Sequence, residues 1–210
     1  INVMEIQILK KMLSKFGENV KFEYDLKKKN WFNIGGKTKV FYKANNLKDL
    51  IDFLKILNNK EKIFILGAGS NLLINDNLFD GVVIKLSKNF NNISLLRDEI
   101  IIAGSGVLDK SLSNFALKNN LSGFEFLSCI PGTVGGGIKM NAGCFGKEFK
   151  DILISIQTID NLGNVKTILS KDIKFEYRKN NLPENLIFLS ASFRGVKNNI
   201  KKIEKDMNNL

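Results

Sequence analysis

Six glycines crowd the positions from Gly132 to Gly146. A helix or strand packs poorly at that density, because each glycine costs backbone entropy and brings no side chain to bury. Such a stretch has a purpose where main chain must lie against a flat or charged ligand; a purely structural loop is the alternative. Within it, Ile130-Pro131-Gly132-Thr133-Val134-Gly135-Gly136 leads through Gly137 to Met140-Asn141-Ala142-Gly143. Pro131 stiffens the entry, and Thr133 sets a hydroxyl among the amides. The whole glycine-dense segment, Gly123 to Gly146, reads as loop.

A shorter glycine loop, Gly67-Ala68-Gly69-Ser70-Asn71-Leu72, follows the apolar run Ile63–Leu66. It resembles a dinucleotide fingerprint only at first glance. Leu72 replaces the third glycine, and Leu72–Asn77 reads as extended chain ending in a turn, not as a helix. Nested N–H groups, with Ser70 and Asn71 beside them, can cradle a phosphate without a helix; a plain tight turn is the alternative. Two phosphate-friendly loops in one chain suggest a ligand with a pyrophosphate, such as a dinucleotide.

Composition narrows the chemistry further. The 210 residues suit one large domain or two small ones, and 44% hydrophobic with 25% charged residues can bury a core. There is no histidine, which removes Ser-His and Cys-His nucleophilic systems, imidazole bases and nearly all zinc-hydrolase ligand sets. Catalysis must run on carboxylates, Lys, Arg, Tyr, Ser, Cys or a borrowed cofactor. Cys129 and Cys144 have no paired spacing, so neither a disulfide framework nor a metal site is expected. The apolar runs are too short for a membrane span, and Glu5 interrupts any signal-like start. A cytoplasmic protein without a membrane partner is the expectation. Ile1 is not an ordinary initiator; Met4 as the start, a fragment, or an alternative codon all stay open.

The net charge of +11 invites a nucleic-acid reading. Only Arg97, Arg178 and Arg194 are arginines among the 32 basic residues, whereas nucleic-acid surfaces favour the two-pronged guanidinium. The lysines spread along the chain beside abundant Asn and Ile, as A/T-rich codons would give. No nucleic-acid partner is expected; an attraction for phosphorylated small molecules survives.

Periodicity predicts a helix over 5–16, a polar lead-in over Tyr24–Lys29, and a strand over Lys39–Lys43. Asn46 should cap a helix through Leu57, and Ile63–Leu66 should be a buried strand. Strands over Val82–Leu86 and Ile100–Ala103 precede a helix over Asp109–Asn119. Ile152–Ile159 and Val165–Leu169 flank a hairpin turn at Asp160-Asn161-Leu162-Gly163-Asn164. Ile187–Phe193 is a further strand, and a Lys-rich helix follows Asn198. This mixture predicts an α+β fold in two lobes meeting near residue 87.

The ordered motifs Asn30-Trp31-Phe32-Asn33-Ile34-Gly35-Gly36, Gly67-Ala68-Gly69-Ser70-Asn71, Ile130-Pro131-Gly132-Thr133-Val134-Gly135-Gly136, Met140-Asn141-Ala142-Gly143 and Tyr177-Arg178 together resemble the UDP-N-acetylenolpyruvoylglucosamine reductase (UDP-N-acetylmuramate dehydrogenase) family. The likeness covers nearly all of residues 22–210. It implies the FAD-binding fold of the vanillyl-alcohol oxidase (PCMH) type, with an N-terminal helix (1–21), FAD-binding lobes at 22–86 and 87–196, and a C-terminal helix (197–210) opening a third region. It implies non-covalent FAD held by Gly67, Ala68, Gly69, Ser70, Asn71 and Leu72, and by Ile130, Pro131, Gly132, Thr133, Gly135 and Gly136. NADPH would be the hydride donor and UDP-N-acetylenolpyruvoylglucosamine the substrate, reduced to UDP-N-acetylmuramate for peptidoglycan. Arg178 matches the family's catalytic arginine and Tyr177 its substrate-binding neighbour.

One departure accompanies the resemblance. The family continues into a substrate-covering region with a serine proton donor and a glutamate, and this chain stops at Leu210 before it. None of the serines present is assigned that role. A separately encoded C-terminal polypeptide as partner is one expectation. An FAD-binding remnant without full reductase activity is another, and a basic nucleic-acid-binding protein is the third reading.

Overall fold

The computed structural model describes residues 3–210, the side chains of Val3 and Glu5 excepted, so the question raised by Ile1 lies outside the described residues. The chain divides into two compact units, Ile1–Asn89 with Asp160–Asn164, and Phe90–Ile159 with Val165–Leu210.

In the first unit, helix α1 (Val3–Leu13) gives way to a 3-10 helix over Ser14–Asn19. The expected single helix over 5–16 stops early for two local reasons. The Ser14 hydroxyl donates to the Lys11 carbonyl at 2.9 Å, competing with the helical pattern. Phe16 must also turn inward, where its ring stands 5.3 Å from those of Tyr42 and Phe53. Of the expected polar lead-in, Tyr24 and Asp25 end β1 (Val20–Asp25), where Phe22 and Tyr24 alternate with charged neighbours, and Lys27–Lys29 form a 3-10 turn. Strands β2 (Lys37–Ala44), β3 (Ile63–Ile65) and β4 (Phe79–Leu86) complete a sheet in the order β1-β2-β4-β3. β1 runs antiparallel to β2, whereas β4 is parallel to both β2 and β3.

Between β2 and β3 lies α2 (Leu47–Leu57), capped as expected: Asn46 Oδ1 accepts from the Asp49 amide at 2.8 Å. It ends at Asn58, which adopts φ = +47°. Leu50, Phe53, Leu54 and Leu57 are buried, each contributing roughly 2 kcal/mol by leaving water. Phe53 stacks on Tyr42 with ring centroids 3.8 Å apart. The other face of the sheet buries Phe41 and Val83 with Leu26 and Leu66, closed over by Leu72 and Ile74. Ile63–Leu66 is not the buried strand expected. β3 is an edge strand with one neighbour, and Phe64 is exposed. On β2, the buried Lys39 ammonium donates to both oxygens of Glu61 at 3.0 and 3.1 Å, with Asp80 at 3.4 Å.

The second unit contains β5 (Ile93–Leu96), β6 (Ile100–Gly104), α3 (Asp109–Lys118), β7 (Leu121–Ser122), α4 (Val134–Lys139), β8 (Gly143–Cys144) and β9 (Lys147–Glu148). It continues with β10 (Leu153–Ile159), β11 (Val165–Leu169), β12 (Phe175–Glu176), β13 (Lys179–Asn180), β14 (Ile187–Arg194), β15 (Val196–Lys197) and α5 (Ile200–Asn208). The main sheet is antiparallel, in the order β11-β10-β14-β6-β5. Its core joins Ile101, Leu112, Leu127, Ile138, Phe149 and Phe193. The β10–β11 turn forms as expected: Asp160 Oδ1 accepts from the Leu162 and Asn164 amides at 2.9 Å, and Gly163 takes φ = +87°. The fold is α+β.

The glycine-dense loop needs a correction, because its centre is helical. Gly135, Gly136 and Gly137 all lie in α4, and packing explains two of them. A β-carbon on Gly137 would run into the Phe149 ring, and one on Gly135 would stand 3.0 Å from Ser105 Cβ. The lost backbone entropy is offset by a helix lying unusually close to its neighbours. Gly136 differs: a β-carbon there would meet only Thr133 Oγ1, at 3.5 Å.

Candidate functional site

The loop Gly67–Leu72 leaves β3 without forming a helix, in agreement with the extended reading of Leu72–Asn77. It is held by the segment carrying Asn30. The Asn30 amide donates to the carbonyls of Leu26, Lys27 and Ile34 at 3.3, 3.4 and 2.7 Å, while its oxygen accepts from Phe32 N at 3.1 Å. These bonds fix the turn that delivers the Trp31 amide to the Gly69 carbonyl at 3.0 Å. Gly69 adopts φ = +69°, and a β-carbon there would collide with the Lys29 carbonyl. Glycine is required at that position twice over, by conformation and by space. From beneath, Lys85 Nζ donates to the Gly67 carbonyl at 2.8 Å. Trp31 and Phe32 are left exposed beside this loop.

In the second unit, Ile130–Gly136 is clamped to the strand-to-helix connection before α3. Asp109 N donates to Gly132 O at 3.1 Å, Val134 N to Val107 O at 2.9 Å, and Gly135 N to Ser105 O at 2.9 Å. Thr133 precedes the first turn of α4 without a side-chain cap bond to it. Below the loop, Ser105 Oγ and both Asp109 carboxyl oxygens are buried without a hydrogen-bond partner. Burial pushes the Asp109 carboxyl up to about 7, because a charge there would have neither water nor a donor.

Tyr177 and Arg178 form the two-residue turn between β12 and β13. Arg178 holds φ = +57°, a conformation costly for a residue with a β-carbon. Its guanidinium lies 5.8 Å from the Tyr177 ring centre. The hairpin is tied to α4 and the segment after it by two asparagines. Asn180 Nδ2 donates to the carbonyls of Ile138 and Lys139 at 3.1 and 2.8 Å. Asn141, buried at φ = +43°, donates to Glu148 Oε2 at 3.0 Å and Glu176 O at 3.3 Å, and accepts from Lys150 N at 3.1 Å.

Arg178, Tyr177, Asn141, Cys144, Lys147 and Glu148 line an open cleft of about 460 Å³. The Glu148 carboxyl is held below its ordinary range by its hydrogen bond with Lys150, then by that with Asn141 and the nearby charges of Lys150 and Arg178, against a burial penalty. Cys144 donates to the Phe126 carbonyl at 3.2 Å, and burial raises its thiol despite the opposing Arg178 charge. The cleft therefore offers a fixed cation beside an ionised carboxylate and a protonated thiol.

Sequence reasoning named both loops and the Tyr177–Arg178 pair. It took Asp109 only as the start of a helix and passed over Lys85 and Ser105. Alternation along β4 could have flagged Lys85 as a charge in an apolar strand. Nothing local marks Asp109 as buried, since its burial comes from Ile130–Gly136 folding over it.

Comparison with known proteins identifies the family. Residues 38–169 match the FAD binding domain family. The chain is 61% identical over 204 residues to the UDP-N-acetylenolpyruvoylglucosamine reductase of Pelagibacter ubique, covering 97% of this chain and 68% of that protein. It is 47% identical over 190 residues to the protein of that name from Rickettsia typhi, covering 90% of this chain and 64% of the other. The crystal structure of the UDP-N-acetylenolpyruvylglucosamine reductase of Thermus caldophilus superposes with a TM-score of 0.78 at 27% identity, covering 90% of this chain and 66% of that one. The chain thus spans about two thirds of the length of these relatives. Among the described residues no helix is long and apolar enough to cross a membrane. On these matches and this fold, the chain belongs to the UDP-N-acetylenolpyruvoylglucosamine reductase family and carries its FAD binding domain.

Proposed function

We propose that this chain acts in the FAD-dependent reduction of UDP-N-acetylenolpyruvoylglucosamine to UDP-N-acetylmuramate, with NADPH as hydride donor. The observation that carries the reading is Arg178, held in a sterically costly backbone conformation at the rim of a cleft, in a chain 61% identical to a reductase of that name. The two units would be the two lobes of the cofactor-binding fold.

The residues present fit the cofactor. Gly67–Leu72 is a braced loop with a cation beneath it, and Gly136 leaves an open face on α4. Gly67, Ala68, Gly69, Ser70, Asn71 and Leu72 in one unit, and Ile130, Pro131, Gly132, Thr133, Gly135 and Gly136 in the other, are the candidate contacts. When bound, FAD supplies two-electron transfer between NADPH and the enolpyruvyl double bond.

Arg178 has the chemistry that the substrate requires. Reduction of the enolpyruvyl group builds charge on its carboxylate as an enolate-like species, and a guanidinium offers two parallel donors to that group. Lysine would present a point charge without that geometry. Tyr177, largely exposed beside it, is the candidate substrate contact. Asn141 and Asn180 fix the turn, so the main chain carrying the guanidinium is in position before substrate arrives.

The chain covers 61% to 68% of the length of such relatives. In a second reading these residues bind FAD and take hydride from NADPH, and turn substrate over only together with a C-terminal polypeptide. Absorbance of the purified protein tests both, since flavin bands are expected in either case. Anaerobic mixing then separates them. If NADPH bleaches the bound flavin and UDP-N-acetylenolpyruvoylglucosamine restores its colour, the first reading stands; bleaching without restoration supports the second. A colourless protein that ignores added FAD sinks both.

A further inference from the structure

Lys43 on β2 and Lys85 on β4 are register partners across parallel strands. Two like charges side by side on a sheet are destabilising unless something anionic answers them. Lys85 points its ammonium at the Gly67 carbonyl, 2.8 Å away, which places that charge under the first residue of the glycine loop. The Lys29 backbone carbonyl packs against Gly69 in the same loop. After burial, the charges of Lys29 and Lys43 lower the proton affinity of Lys85.

Among the described residues none of these lysines is bridged to a carboxylate. Lys29 instead lies 5.6 Å from the Tyr24 ring centre. On the same sheet, Lys39 is answered internally by Glu61 and Asp80. A Lys-rich chain scatters solvated lysines everywhere, yet Lys85 is half-buried with its ammonium on the loop, and Lys43 is its register partner.

We propose that Lys43 and Lys85 form a cationic seat that draws the diphosphate of FAD to the Gly67–Leu72 loop. This deepens the reading that FAD binds here and rests on it. Lys85 also acts as a positioning residue, since its bond to Gly67 holds the loop that presents the amides. Lys43 contributes through its field alone, so its effect is screened by salt, whereas the half-buried Lys85 is screened less.

The test is flavin-fluorescence titration of the full chain with FAD at low and high sodium chloride, for the wild type, Lys43→Gln and Lys85→Gln. Thermal melts check that each variant is folded. At low salt Lys43→Gln should weaken FAD binding about three- to tenfold, and high salt should close most of that gap. Lys85→Gln should weaken it more and keep part of the loss at high salt. Inorganic pyrophosphate should compete with FAD on the wild type and compete less well on both variants. If folded Lys43→Gln and Lys85→Gln bind FAD as the wild type does, with the same salt dependence, the cationic seat is wrong and FAD binding stands. A loss that is equal at both salt concentrations marks a purely structural role and also overturns it. If the wild type fails to bind FAD, the cofactor reading itself falls and takes the seat with it.

Discussion

Asp109 Oδ2 lies beneath Gly132, so close that a β-carbon added to the glycine would stand 2.8 Å from it. Neither carboxyl oxygen has a hydrogen-bond partner, and the group is neutral until about pH 7 in the folded protein, against an ordinary value of 3.8. As pH rises above 3.8 the unfolded chain releases this proton while the folded chain keeps it. Stability is therefore fully present below the unfolded value and is lost until the folded group ionises near 7. The loss is on the order of 4 kcal/mol. Asp109→Asn should flatten this profile. Thermal melts between pH 4 and pH 8 check it, and parallel curves for wild type and variant would remove the buried acid from the account.

Gly136 and Gly137 are neighbours in α4 with opposite expectations. Gly137→Ala puts a methyl into the Phe149 ring and should cost about 1–3 kcal/mol by overpacking. Gly136→Ala meets only Thr133 Oγ1 at 3.5 Å and should be neutral or stabilising by up to about 1 kcal/mol through helix propensity. If the open face serves FAD, that same variant should bind the flavin more weakly. Denaturant melts and FAD titration on both variants separate packing from binding.

Arg178→Gly exploits the positive φ of the turn. Glycine adopts it without strain, so the variant should melt no lower than the wild type. Reoxidation of the reduced flavin by substrate should slow by about a hundredfold or more, as when a donor to developing negative charge is removed. FAD content should be unchanged. Stopped-flow absorbance measures the rate, and an unchanged rate would take Arg178 out of the chemistry.

Glu61→Ala strips the closest partner from the buried Lys39 ammonium. The remaining Asp80 oxygen, at 3.4 Å on an exposed side chain, is a poor substitute. A destabilisation of about 2–4 kcal/mol is expected from the uncompensated charge. Lys39→Met with Glu61→Leu should recover much of it. Urea denaturation of the single and double variants is the measurement.

The elements legible in the sequence were those whose signal is local. Asn46 and the apolar face of α2 announced a capped helix, and the Asp160–Asn164 turn announced its hairpin. β1 was missed because Val20–Asp25 is short and half charged, although Phe22 and Tyr24 already alternate with charges; pairing with β2 makes that pattern a strand. α4 was hidden by its own glycines, whose density signals loop until Phe149 and Ser105 are seen pressing on them. In the candidate site, Arg178 was reached through its motif, and its strained φ could not be read from the letters. Asp109 and Lys85 went unassigned for the same reason, since their settings exist only once distant segments are stacked.

Asn141 and Asn180 have a mechanical consequence. Between them they rivet the β12–β13 turn to the backbone at the end of α4, so the main chain that carries Arg178 has no independent hinge. Whatever tilts that short glycine helix must swing Arg178 with it.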